Sequence, residues 1–277
     1  MKSIKGKTIL ITGATSGIGK EAAIALAREG AILVFTSRDP ERGRQARSEI
    51  MTSSGSRTVN VMECDLASFE SIRSFTTEFA KRYDRLDVLI NNAGVWNFER
   101  RESRDGIEEI FAVNYLAPFL MTSLLLGLLK KSAPSRIINV SSGLHAGTIH
   151  FEDIEFKHGF RGVTAYSQSK LALILFTRLL ASTLSGTGVT VNALHPGFVS
   201  TNLGRDASRI MRALFRFFGK SARRGSETIV YLAASPDVEA ITGLYFVNKK
   251  AAGASKESQD MVMARKLWNL SARYVGL

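Results

Sequence analysis

At 277 residues the chain can hold one α/β domain or two small ones, and 45% hydrophobic with 22% charged residues is ordinary globular composition. A single cysteine, Cys64, excludes an internal disulfide and a Cys-rich metal site. The formal charge of +12 comes with no zinc-finger spacing, RNP-like aromatic set or helix-turn-helix signature, so no nucleic-acid partner is expected. Lys2, Lys5 and Lys7 precede only a short apolar run, unlike a signal peptide. The apolar stretch Leu116 to Leu129 is interrupted by Pro118, Thr122 and Ser123, so no transmembrane segment is expected.

Thr8 to Ile11 reads as a buried strand closed by Thr12-Gly13, and apolar residues at helical spacing follow from Ile18 to Arg28. Strands at Ile32–Phe35, Thr58–Met62 and Asp87–Ile90 alternate with helices at Glu41–Met51 and Phe69–Tyr83. A long helix over 107–131 leads to a strand at Arg136–Val140, and a helix over Tyr166–Leu184 to a strand at Val189–Leu194. A helix at Gly225–Ala234 and a strand at Leu244–Val247 complete the series. Such alternation predicts a single-domain, Rossmann-type three-layer α/β sandwich with a seven-stranded parallel sheet covered by helices on both faces. The domain is expected to span 1–277, with a lid segment at about 200–224 and a docking tail at about 254–277. Met261, Ala264, Leu267 and Trp268 form the tail's predicted apolar side.

Between the first strand and first helix stands Thr12-Gly13-Ala14-Thr15-Ser16-Gly17-Ile18-Gly19. Glycines there let a pyrophosphate approach bare backbone at a helix N-terminus, so the turn is expected to bind a dinucleotide. The second strand ends in Ser37-Arg38, where an NAD site usually carries a carboxylate for the ribose. An arginine there suits a 2′-phosphate, so NADP(H) is expected ahead of NAD, although neighbouring Asp39 leaves the ribose reading open. Asp65-Leu66 and Asn92-Ala93-Gly94 follow the third and fourth strands, where ligand-facing loops emerge. The Asp65 side chain has two readings, an acceptor for the adenine amino group or the cap of the helix near Ser68.

Tyr166 and Lys170 lie one helical turn apart. An ammonium and a positive nicotinamide ring beside the phenol favour its ionised form and so suit it to proton exchange with an alcohol or carbonyl. Ser141 and Ser142 follow the fifth strand, and Asn114 stands on the preceding helix.

Taken together, these motifs resemble the short-chain dehydrogenase/reductase family. Thr12 to Gly19 is similar to its nucleotide turn, and Asn91-Asn92-Ala93-Gly94 to its structural segment. Asn114, Ser142, Tyr166 and Lys170 match its catalytic positions, and His195-Pro196-Gly197 its turn after the sixth strand. The resemblance implies that Tyr166 exchanges the proton and Lys170 binds the nicotinamide ribose. It implies that Ser142, rather than Ser141, orients the substrate oxygen, while Asn114 holds a water next to Lys170. Pro196, Gly197, Val199 and Thr201 are implied to contact the cofactor. The implied activity is hydride transfer between NADP(H) and a CH–OH or C=O group.

Within the family the chain resembles the retinol-dehydrogenase-like branch, through Thr36 to Asp39, the long Ser142–Tyr166 loop and the tail around Leu267-Trp268. An apolar alcohol, aldehyde or ketone is therefore the expected substrate. The alternatives are a reductase of small carbonyls or quinones, and a non-catalytic NADP-binding sensor or scaffold, which would not need the Ser-Tyr-Lys set. His145, His150 and His158 lie in the long loop without ligand spacing, so no metal is expected. The resemblance also implies a homodimer across the helices near 107–131 and 166–184. A cytoplasmic protein is expected, without the N-terminal anchor of some branch members. The segment Arg205 to Arg224, with Ile210, Leu214 and Phe217 on one face, is expected to close over the substrate. Its arginines suit peripheral contact with an anionic membrane.

Overall fold

The structure, a computed structural model, describes residues 4–197 and 221–277. Val199, Thr201 and most of the lid segment lie outside the described residues. Eight strands form one sheet in the order β3-β2-β1-β4-β5-β6-β7-β8. They are β1 (Thr8–Ile11), β2 (Ile32–Ser37), β3 (Val59–Glu63), β4 (Val88–Asn91), β5 (Ser135–Val140), β6 (Val189–His195), β7 (Tyr245–Val247) and β8 (Lys250–Ala252). The first seven are parallel, as their apolar character requires when helices cover both faces.

The eighth strand corrects the seven-stranded expectation: β8 pairs antiparallel with β7 at the sheet edge. Its turn uses Asn248 and Lys249, both with positive φ (50° and 64°), as a two-residue hairpin needs. Lys250, Ala251 and Ala252 are exposed, so no apolar alternation marked them as a strand.

The helices are α1 (Gly17–Arg28), α2 (Pro40–Ser54), α3 (Phe69–Arg82), α4 (Glu109–Lys131), α5 (Gly162–Thr183), α6 (Ala222–Ala234) and α7 (Met261–Val275). Leu26 of α1 and Ile229 of α6 belong to the core on one face of the sheet, and Phe79, Phe119 and Phe176 to the core on the other. Helix α4 has the length and apolarity of a membrane span, but 72% of its apolar window is buried inside the fold. Residues Ala112–Leu116 within it form a π-helical turn that contains Asn114. Such turns shift one helical face relative to the next.

The tail docks where the apolar spacing placed it, with one adjustment. Ala264 and Leu267 are buried, but Met263, rather than Met261, packs against the core. Trp268 sits 5.0 Å from Phe119 and 5.7 Å from Phe176, ring centre to ring centre, and so bridges α4 and α5. Part of the face expected to meet a second subunit is thus covered by the chain itself.

Candidate active site

A doubly wound sheet opens a crevice where its strand order reverses, here between β1 and β4. A cleft of about 400 Å³ lies there, running from Arg38 past the glycine turn to Tyr166 and Lys170. The turn is held from beneath by β4. Asn92 donates its side-chain amide to the carbonyls of Thr12 (2.9 Å) and Gly13 (3.1 Å). Thr12 Oγ1 accepts from the backbone N–H groups of Asn92 and Ala93. A Cβ on Gly19 would stand 2.4 Å from both the Gly13 carbonyl oxygen and Asn92 Nδ2, so only glycine permits this approach. Asn92 therefore shapes the turn with its side-chain amide, and it also lines the cleft.

Gly13, Thr15, Ser16, Gly17, Ile18, Gly19, Leu66, Ala93, Gly94 and Pro196 all line the cleft; Gly197 is not among its lining residues. At the far end stand Ser37, Arg38 and, four residues on, Arg42, which the sequence reading missed. Arg42 lies in the first turn of α2, and its proximity to Arg38 was the available signal. Asp39 caps α2, its Oδ1 accepting from the N–H groups of Glu41 and Arg42, and it also lines the cleft.

Asp65 follows neither reading in full. The cap of α3 is Ser68, whose hydroxyl accepts from Ser71 N, which corrects the capping alternative. Asp65 lines the cleft, accepts from Ala67 N and pairs with Arg104 at 2.9 Å.

The chemical end is assembled from distant segments. Lys170 is buried and donates to the Val140 carbonyl at 3.0 Å; its ammonium lies 5.5 Å from the centre of the Tyr166 ring. Burial pushes its pKa down to about 8. Burial also raises the Tyr166 phenol, against a hydrogen bond from Ser142 that lowers it. The expectation that lysine favours the phenolate is therefore modified, because desolvation of both groups opposes their charged forms.

Geometry separates the two serines. Ser141 is buried and donates to the Lys170 carbonyl, which fastens α5 to β5. Ser142 is half-buried and its Oγ accepts from Leu144 N at 3.1 Å; of the two it is Ser141, not Ser142, that is among the residues lining the cleft. Asn114 is fully buried in the π turn, where Oδ1 accepts from Val95 N (2.7 Å) and Nδ2 donates to Val95 O and Ser169 Oγ. A Cβ on Gly94 would meet Asn114 Oδ1 at 3.3 Å and Lys170 Nζ at 3.5 Å, which places both groups against one bare stretch of backbone.

An aromatic wall was not anticipated. Trp96 stacks on Tyr166 at 4.7 Å and 15°, and Phe98 on Trp96 at 6.2 Å. Phe156 and Phe160 of the long loop join this cluster. Gly162 at the start of α5 packs so closely on Asn97 that a Cβ would lie 2.0 Å from its carbonyl oxygen. The contact seats the helix carrying Tyr166 on the segment carrying Trp96. The histidines of the loop do not gather: His145 bonds Ser142 O and Ser255 N, while His150 packs edge-on to Phe156.

A glycine turn at the sheet's switch point, with a buried Tyr166–Lys170 pair at the other end of the cleft, defines a nicotinamide-dinucleotide oxidoreductase. The chain belongs to the short-chain dehydrogenase family, whose model matches residues 7–211. It is similar to retinol dehydrogenase 14 of Mus musculus, 46% identical over 98% of this chain and 86% of that protein. It also resembles, at TM-score 0.82 and 31% identity, a crystal structure of an uncharacterized protein from Mycobacterium paratuberculosis, covering 100% of this chain and 96% of that one. The RhlG/NADP active-site complex of Pseudomonas aeruginosa aligns with TM-score 0.70 and 26% identity over 88% of this chain and 95% of that one.

Proposed function

We propose that the chain transfers hydride between NADP(H) and the CH–OH or C=O group of a lipophilic alcohol, aldehyde or ketone, with Tyr166 as the acid/base. The observation that carries this reading is the cleft that joins Arg38 and Arg42 to Tyr166 and Lys170, whose ammonium lies 5.5 Å from the centre of the phenol ring. NADP(H), when bound, supplies the hydride and, in its oxidised form, a positive ring. Arg38 and Arg42 hold the 2′-phosphate through charge-assisted hydrogen bonds. The solved NADP complex of RhlG supports that cofactor.

The chain's own groups divide the work. In reduction, the Tyr166 O–H gives its proton to the carbonyl oxygen as that oxygen gains negative charge, and Ser142 donates a second hydrogen bond to the same oxygen. In oxidation the proton returns from the alcohol to the phenolate. Lys170 donates to the nicotinamide ribose hydroxyls and steadies the phenolate electrostatically. Asn114 Oδ1 has one lone pair left after Val95 N, enough to hold a water beside Lys170.

The aromatic wall of Trp96, Phe98 and Phe156 supports an apolar substrate, as does the likeness to retinol dehydrogenases. NADPH oxidation across a panel of short and long aldehydes, ketones and quinones tests the reading. Turnover of the small members alone would replace it with the small-carbonyl alternative, and turnover of none with the non-catalytic one. The whole chain is read as one domain in the cytoplasm, a location supported by its lone, buried cysteine. A homodimer across α4 and α5 would include α7 in its contact, and a light-scattering mass of one chain would overturn it. The arginines of 205–224 support peripheral membrane contact, which salt-insensitive or absent sedimentation with anionic vesicles would remove.

A further inference from the structure

The peptide unit joining Ser142 to Gly143 is pinned at both of its polar atoms by side chains from three different segments. Its carbonyl oxygen accepts from His145 Nδ1 at 2.7 Å and from the Tyr245 hydroxyl at 2.9 Å. Its N–H donates to His195 Nδ1 at 2.9 Å. Two donors occupy both lone pairs of that carbonyl, so the peptide plane has no hydrogen-bonding freedom left. His195 ends β6, Tyr245 begins β7, and His145 stands in the long loop.

The His145 ring is itself held. Its Nε2 accepts from the backbone N–H of Ser255 at 3.1 Å, and that partner can only donate. The Ser142 carbonyl can only accept, so Nδ1 carries the proton and the tautomer is determined by its two partners. His145 is buried and lies 5.0 Å from the Tyr245 ring. Ser255 opens the tail, which grips the long loop twice more. Lys266 stands 4.2 Å over the Phe151 ring, and the Tyr274 hydroxyl donates to Glu155 at 2.9 Å.

We propose that His145 and Tyr245 are positioning residues that clamp the Ser142 carbonyl from two sides, with His145 anchored in turn by the C-terminal tail. The clamp fixes the Cα of Ser142 and hence the reach of its hydroxyl toward Tyr166 and the substrate oxygen. The side-chain hydrogen bonds of both residues go to the Ser142 carbonyl and the tail rather than to Tyr166 or Lys170, and the inference rests on the assignment of Ser142 made above. A misplacement of about 1 Å at a reacting group can lower turnover by about 10²-fold, so loss of one jaw of a two-sided clamp is expected to cost less.

A double-mutant cycle with NADPH and an aldehyde that the enzyme turns over tests it. His145→Phe keeps ring bulk, and Tyr245→Phe removes one oxygen only. Each is expected to lower kcat about tenfold, with KM for NADPH within about twofold of the unsubstituted enzyme. In a Ser142→Ala background neither should lower kcat further, because the serine they position is gone. His145→Asn retains a donor near the Nδ1 position and is expected to recover most of the loss. The clamp is overturned if kcat is unchanged, if the losses persist in full without Ser142, or if Asn fails to rescue. Should His145→Phe fail to fold, Tyr245→Phe carries the same cycle alone. Full activity of Ser142→Ala itself would remove the serine assignment, and the clamp with it. Losses independent of Ser142 would remove the clamp only.

Discussion

The two ends of the cleft are held by different means. At the cofactor end the cleft is lined by the glycine turn and by two arginines at the end of β2 and the start of α2. At the chemical end nearly every polar side chain is buried and tied to a partner far away in sequence. Lys170 reaches Val140, Ser141 reaches Lys170, and Asn114 reaches Val95 and Ser169. Substitutions at the first end therefore act through shape and exposed charge, where water screens the loss. At the second they act through desolvated groups whose protonation depends on burial.

That contrast is broken most directly at Tyr166. Tyr166→Phe should lower kcat by about 10²-fold or more while NADPH affinity, read by fluorescence titration, stays within a few-fold. Equal losses in both would mean the two ends are not separable. Gly19→Ala probes the other end, since its methyl would enter space held by Gly13 O and Asn92. Overpacking of about 1–3 kcal/mol predicts NADPH binding weaker by about tenfold to 10²-fold, again by titration. A smaller effect is expected from Arg38→Ala combined with Arg42→Ala. KM for NADPH should rise about tenfold and KM for NADH should hardly move. A parallel rise for both cofactors would detach these arginines from the 2′-phosphate.

The least effect concerns pH and sharpens the electrostatic side of the comparison. Lys170 titrates at about 8 in the fold, against about 10.4 in an unfolded chain. Between those values the unfolded chain holds the proton that the folded one has released. Stability contributed by this group therefore rises with pH from about 8 to about 10.4. Urea unfolding of the nucleotide-free protein at the two ends of this window should show that rise, and Lys170→Met should lack it. An identical pH slope in both proteins would show that burial does not depress the lysine.

Much of the architecture was legible because it is local. Seven strands and the helices between them follow from apolar runs and helical spacing, and the glycine turn from its place between β1 and α1. The eighth strand was not legible, because its three exposed residues are held by pairing to β7 rather than by burial. Trp96 was passed over for a related reason: a tryptophan in a loop carries no periodic signal, and only the packing of Gly162 on Asn97 brings it against Tyr166.

The sequence by itself determined the order of the elements, the dinucleotide turn and the placing of Tyr166 and Lys170 one helical turn apart. These depend on residue type and on spacing along a single helix or turn. Tertiary structure alone decided that Asp39 caps α2, that Ser141 anchors α5 while the Ser142 hydroxyl accepts from Leu144 N, and that α7 covers part of α4 and α5. It also decided the direction in which the pair is shifted, since burial pushes Tyr166 up and Lys170 down. Adjacent serines look alike along a chain. They differ only once β5 and α5 have packed, because the Ser141 hydroxyl then faces a helix carbonyl and the Ser142 hydroxyl a loop N–H.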